Sequence, residues 1–97
     1  MRTIDDITEE YLRSHPDEMD AFITELFEDY AHDGDMATLL SALRVICRIR
    51  GVSDVAEAAG MSRKGVQKAL SAGGHPQFES VNAILRALGY RLAPQKL

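Results

Sequence analysis

The sequence has no tryptophan, a single cysteine and three prolines, and only 6% of its residues are aromatic. With few large rings to fill an interior, the core must be mainly aliphatic, which suits short packed helices. Cys47 has no second cysteine to pair with, and the N-terminal residues lack the charged, apolar and small-residue succession of a signal peptide. A reducing cytoplasm is therefore the expected compartment. Apolar runs are only a few residues long, far short of the ~20 needed to cross a bilayer, so no membrane partner is expected. His15, His32 and His75 are scattered, none with a second ligand at i+3 or i+4, and no metal site is expected. Cys47 lies on an apolar stripe with no histidine nearby and reads as a small buried hydrophobe. The paired acids Glu9-Glu10 and Glu28-Asp29 read as solvated helix surface, and no glycine-rich phosphate cradle is present. No catalytic residue and no cofactor is expected, and an enzyme is the weakest reading.

What is present is enough for one core: 97 residues, 45% of them apolar. The net charge of −4 conceals a division along the chain. Up to Ala37, twelve carboxylates face only Arg2 and Arg13, a balance of −10. From Thr38 onward, nine cations face Asp54, Glu57 and Glu79, a balance of +6. Such asymmetry suits two partners of opposite charge, one polyanionic and one basic, although two solvated faces would have the same composition.

Helical periodicity runs through most of the chain. Thr3 followed by Asp6 marks an N-terminus, with Ile4, Ile7, Tyr11 and Leu12 at helical spacing behind it. Ser14-His15-Pro16-Asp17 breaks that helix and starts another, in which Met19, Phe22, Ile23, Leu26, Phe27 and Tyr30 form an apolar stripe and Glu18, Glu25, Glu28 and Asp29 point outward. Gly34 ends it and Asp35 caps a third helix, with Met36, Leu39, Leu40, Leu43, Ile46, Cys47 and Ile49 on a wide apolar face that closes at Gly51. Arg44, Arg48 and Arg50 in its last half suit either the negative helix end or DNA phosphates. Ser53 is expected to cap a short helix to Ala59, and Ser62 another to about Ala72. After a Gly73-Gly74-His75-Pro76 loop, Phe78, Val81, Ile84, Leu85 and Leu88 outline a last helix ended by Gly89. The tail Tyr90-Arg91-Leu92-Ala93 alternates like a strand, for which a partner chain or the last helix would have to provide the packing.

Val55 to Leu70 has the spacing of a helix-turn-helix. Ala56 is small where a second helix would cross, Gly60 stands where a turn can require positive φ, and Val55, Met61, Val66 and Leu70 provide a buried wedge. Assigning these inward leaves Arg63, Lys64, Gln67, Lys68 and Ser71 on the outer side of the second helix, which begins at Ser62. Gln can pair with an adenine edge, Arg or Lys with guanine, and Ser62, Ser71 or Lys68 can meet phosphate. Gly65, unfavourable inside a helix by ~1 kcal/mol against Ala, would permit a close approach to DNA or to the first helix. The fold expected is all-α: a small helical bundle with a lambda-repressor-like helix-turn-helix over residues 36–97, an acidic helical segment over 1–35 and a short extended C-terminal tail.

These residues also carry a resemblance. Ala42-Leu43-Arg44 leading to Arg48-Ile49-Arg50-Gly51, then Gly60-Met61-Ser62-Arg63, Lys68-Ala69-Leu70-Ser71 and Leu85-Arg86-Ala87-Leu88-Gly89-Tyr90-Arg91-Leu92, resemble the probable addiction-module antidote family. The match is good over about residues 37 to 93, and Glu10-Tyr11-Leu12 adds to it; the long acidic stretch from Pro16 to Asp35 departs from it. The family comprises bacterial helix-turn-helix antitoxins similar to the HigA type, usually encoded beside a small basic toxin of the RelE/ParE superfamily. The resemblance implies a homodimer that neutralises its toxin and represses its own operon by binding operator DNA. Phe22, Glu25, Phe27, Glu28, Asp29 and Tyr30 would then be the candidates for toxin contact, although for the three aromatics the core is the better reading. A stand-alone repressor with no toxin, or an adaptor using the same helical shape without DNA, would share the same pattern.

Overall fold

Thr3 opens the first helix with a reciprocal pair of bonds: its hydroxyl accepts from the Asp6 N–H at 3.1 Å, and the Asp6 carboxylate accepts from the Thr3 N–H at 3.0 Å. In the computed structural model, which describes residues 1–97, this helix is α1, Ile4–Ser14. A 3-10 turn at Pro16–Glu18 leads into α2, Met19–Asp33, which Gly34 closes. Asp35 caps α3, Met36–Arg50, by accepting from the Thr38 N–H at 3.1 Å. Then follow α4, Val52–Ala59, α5, Arg63–Ala69, and α6, Phe78–Ala87. There is no strand, in keeping with the expected all-α class, and no helix is long and apolar enough to cross a membrane.

The centre of the fold is α3, where Leu39, Leu40, Leu43, Val45, Ile46 and Cys47 are all buried. α1 and α2 lie against it from one side of the chain and α4 from the other, while α5 packs on α4 and α6. Ile23 and Leu26 of the acidic segment belong to the same core as Val55, Val66, Leu70, Ile84, Leu85 and Leu88, so the interior is continuous across residue 35. Burial pushes the Cys47 thiol up to about 11, leaving it a protonated apolar filler at neutral pH.

Several local expectations are corrected. Ser53 does not cap α4. Gly51, at φ 102°, turns the chain directly, and its carbonyl accepts from the Val55 N–H at 3.0 Å, so the helix begins two residues earlier. α5 ends at Ala69 and not near Ala72, because buried Leu70 forms the C-cap and the Ser71 hydroxyl bonds back to the Lys68 carbonyl at 2.9 Å. The tail forms no strand. Its alternation survives as packing, with Tyr90 and Leu92 against the core, Arg91 and Ala93 exposed, and the Tyr90 hydroxyl donating to Asp20 of α2. Phe78 lies on the α6 stripe but at its open end, and is 77% exposed. Most consequentially, of the apolar stripe on α1 only Leu12 is buried.

Polar links hold α1 in place of those missing contacts. Glu9, expected on solvated surface, instead accepts from Arg48 of α3 at 2.8 Å and from Arg13 at 2.9 Å, while the Arg13 guanidinium also reaches the Arg48 carbonyl at 3.3 Å. The bond from Arg48, and then that from Arg13, hold the Glu9 carboxyl below its usual range. A carboxylate lowered by folding contributes stability that is present above its unfolded pKa and lost as pH falls through the folded one. Urea midpoints of the wild-type chain should therefore drop between about pH 5 and 3, and Glu9→Gln should be less stable at pH 7 and show a shallower slope across that window. Equal slopes would show that this bridge contributes nothing.

Candidate nucleic-acid interface

A seven-residue helix is too short to persist alone, so α5 takes its position from its surroundings. α4 ends where Gly60 adopts φ 68°, a left-handed conformation that disfavours residues with a Cβ, and the Met61 N–H returns to the Ala56 carbonyl at 2.9 Å. Ser62 then caps α5, its hydroxyl accepting from the Gly65 N–H at 2.9 Å. Gly65 now has a local explanation. A Cβ there would stand 3.0 Å from the Ser62 hydroxyl oxygen and 3.7 Å from the Met61 methyl, so its bareness leaves room for the cap. Inward, Val66 and Leu70 are buried with Val55 and Ala56 of α4, and Met61 packs beside them. The expected wedge is assembled.

With that face committed, Arg63, Lys64, Gln67 and Lys68 all come out exposed, on an arc of roughly 140° at 100° per residue. Arg63 leans back to the Ser53 hydroxyl at 3.4 Å. Every ion pair of the chain falls at Glu9 or Glu10, so the three cations of α5 have no carboxylate partner. Ser62 is exposed at the helix start, although its hydroxyl is engaged as the cap. Ser71 lies past the helix end, half-buried, with its hydroxyl turned to its own chain. The structure thus brings Arg63, Lys64, Gln67 and Lys68 together and sets Ser71 apart.

The arginines of α3, which either of two roles would have suited, have intramolecular partners. Arg44 donates to the Leu70 carbonyl at the end of α5, Arg50 to the Leu88 carbonyl at the end of α6 at 3.3 Å, and Arg48 to Glu9. Two of the three satisfy carbonyls left over at helix C-termini. Nothing in the sequence spacing identifies these partners, because they lie 26 and 38 residues away.

The acidic candidates lie elsewhere. Glu25, Glu28 and Asp29 are exposed on α2, while Phe22, Phe27 and Tyr30 are half-buried against the core. Since α1 and α2 pack on α3 and α5 packs on α4 and α6, the carboxylates and the free cations occupy different layers. No group of three or more His, Cys, Asp or Glu side chains is placed to hold a metal.

Residues 5–96 match the model of a family described as "Probable addiction module antidote protein". The chain belongs to this family. An uncharacterised protein of Haemophilus influenzae strain Rd is 34% identical over 87 residues, covering 90% of this chain and 84% of that protein. No solved structure matches. Membership of the antidote family implies a toxin partner and a regulatory, non-enzymatic protein. In this antidote chain the Ser62 cap orients the start of α5, so Ser62→Ala should lower unfolding free energy by about 1 kcal/mol, with Ser62→Asn close to wild type, as read from urea titration. If the alanine and asparagine variants unfold together, the cap does not hold α5.

Proposed function

We propose that this chain is the antitoxin of a type II toxin-antitoxin module, binding and neutralising a basic toxin of the RelE/ParE superfamily and binding operator DNA to repress its own operon. The observation that carries the DNA half of this reading is the row Arg63, Lys64, Gln67 and Lys68, exposed and free of carboxylates on a helix held by a buried wedge and a serine cap. In this reading α4 and α5 act as a lambda-repressor-like helix-turn-helix, with the start of α5 in the major groove. Arg63, Lys64 and Gln67 contact base edges, and Lys68, with Ser62, contacts phosphate, whereas Ser71, whose hydroxyl proton is donated to the Lys68 carbonyl, drops out of the set. A homodimer presents two such helices about 34 Å apart to the half-sites of a palindromic operator. The carboxylates of α1 and α2 face a basic toxin, which places the two partners on separate layers of one chain.

A stand-alone repressor would use the same row on α5, and co-expression separates the two. Cells expressing the small reading frame adjacent to this gene should arrest, and producing this chain alongside should restore growth. Toxicity that the chain does not relieve leaves the repressor reading. Under either, the Lys64→Ala/Lys68→Ala variant should bind the operon's promoter more weakly in fluorescence anisotropy, and its plot of log affinity against log salt should be shallower by about 1–2. An unchanged affinity and slope would remove α5 from the DNA interface.

A further inference from the structure

Between α1, α2 and α3 lies an open groove of about 670 Å³. Its floor is apolar, formed by Phe22, Leu26, Ala42 and Val45, with Ile4 at the α1 edge. Three carboxylates, Asp5, Glu25 and Asp29, stand around it, and no Lys, Arg or His lines it. Asp5 already accepts from the Ser41 hydroxyl at 2.8 Å, but Glu25 and Asp29 are exposed and unpaired. From Ile4 the apolar surface continues along one stripe of α1, where Ile4, Ile7 and Tyr11 are 82%, 53% and 50% exposed at i, i+3 and i+7. An apolar floor joined to an uncovered helix stripe and rimmed by free acids is a surface that gains from being covered.

Its chemistry selects the occupant. The acidic rim repels phosphate and so disfavours nucleic acid. All three walls are helices whose backbone groups bond within themselves, so an extended peptide would find no edge to pair with, whereas a helix arrives with its own backbone satisfied. Arg or Lys stems can lie along Phe22 while their heads meet Glu25 and Asp29. A second copy of this chain offers α5 as its helix of free cations, but the apolar face of α5, Val66 and Leu70, is already buried in its own core. We propose that the groove receives a basic amphipathic helix of the toxin, an inference that rests on the antitoxin reading above. It divides the acidic candidates: Phe22, Glu25 and Asp29 line the groove, whereas Phe27, Glu28 and Tyr30 do not, and Ile4 with its stripe is added.

The test is calorimetric titration of the full chain with the purified protein from the adjacent reading frame, with circular dichroism to verify that each variant is folded. Glu25→Arg and Asp29→Arg should each raise Kd by about tenfold or more, and Ile4→Gln, which changes no charge, by about fivefold. Glu28→Arg, with the same charge change off the groove, should alter Kd by less than about twofold. Equal losses for Glu25→Arg and Glu28→Arg would reduce the effect to long-range attraction and overturn the groove, as would wild-type affinity in Ile4→Gln. Sedimentation of the chain alone completes the test: a dimer that Ile4→Gln converts to monomer would make the groove a contact between copies and also overturn the proposal. A wild-type chain that neither binds this protein nor relieves arrest ends the antitoxin reading and this inference with it, whereas wild-type binding kept by every groove variant ends the inference alone.

Discussion

A helix that is apolar on more than one side must be covered on more than one side, and α3 imposes this condition on the rest of the chain. Leu39, Leu40, Leu43, Ile46 and Cys47 make one broad face, and Val45 stands apart from it, equally buried. Covering both requires α1 and α2 from one side of the sequence and α4 with its neighbours from the other. The polar residues of α3 extend its influence. Arg44 and Arg50 satisfy carbonyls at the ends of α5 and α6, and Arg48 anchors α1 through Glu9. The same helix is thus the centre of the core and the donor for three of its neighbours.

The position of α5 follows from this. Seven residues, one of them glycine, make a poor helix alone. Val66 and Leu70 fix it inward, Ser62 satisfies its first turn, and Arg44 reaches its last carbonyl. Val66 and Leu70 are buried, Arg44 is half-buried and the Ser62 hydroxyl is engaged in its cap, and together they determine where Arg63, Lys64, Gln67 and Lys68 point. Gly65, the least helical residue of the segment, stands where a side chain would press on the cap.

The acidic layer is built on a different economy of contacts. α1 contributes one buried side chain and is held by Glu9, Arg13 and Arg48 and by the Asp5–Ser41 bond. Tyr11 donates to Glu18 and stacks on His15, and the bond to Glu18 raises its phenol above the ordinary range. α2 is tied to the tail through Asp20 and Tyr90, whose hydroxyl is pushed up to about 12 by burial first and then by Asp20. α1, held chiefly by polar links, leaves its apolar stripe available to another molecule.

Much of this was legible in the residues alone. Period-3.6 patterning, the Thr3, Asp35 and Ser62 caps and the Gly34, Gly51 and Gly60 stops are local signals, set by bonds spanning a few residues, and they located all six helices to within a few positions. The outward set on α5 followed from the inward one by helical geometry, and the charge division needed only counting. Where a local signal met a stronger neighbour it failed, as at Ser53, displaced by the turn at Gly51, and at Ala72, cut off by the burial of Leu70. What tertiary structure alone decided is which faces are covered. Apolar spacing on α1 matches a buried stripe, but burial depends on another helix lying against it, and only Leu12 has one. The partners of Arg44, Arg48 and Arg50 were likewise undetermined, because a guanidinium on a helix face carries no record of the distant carbonyl or carboxylate that folding brings to it.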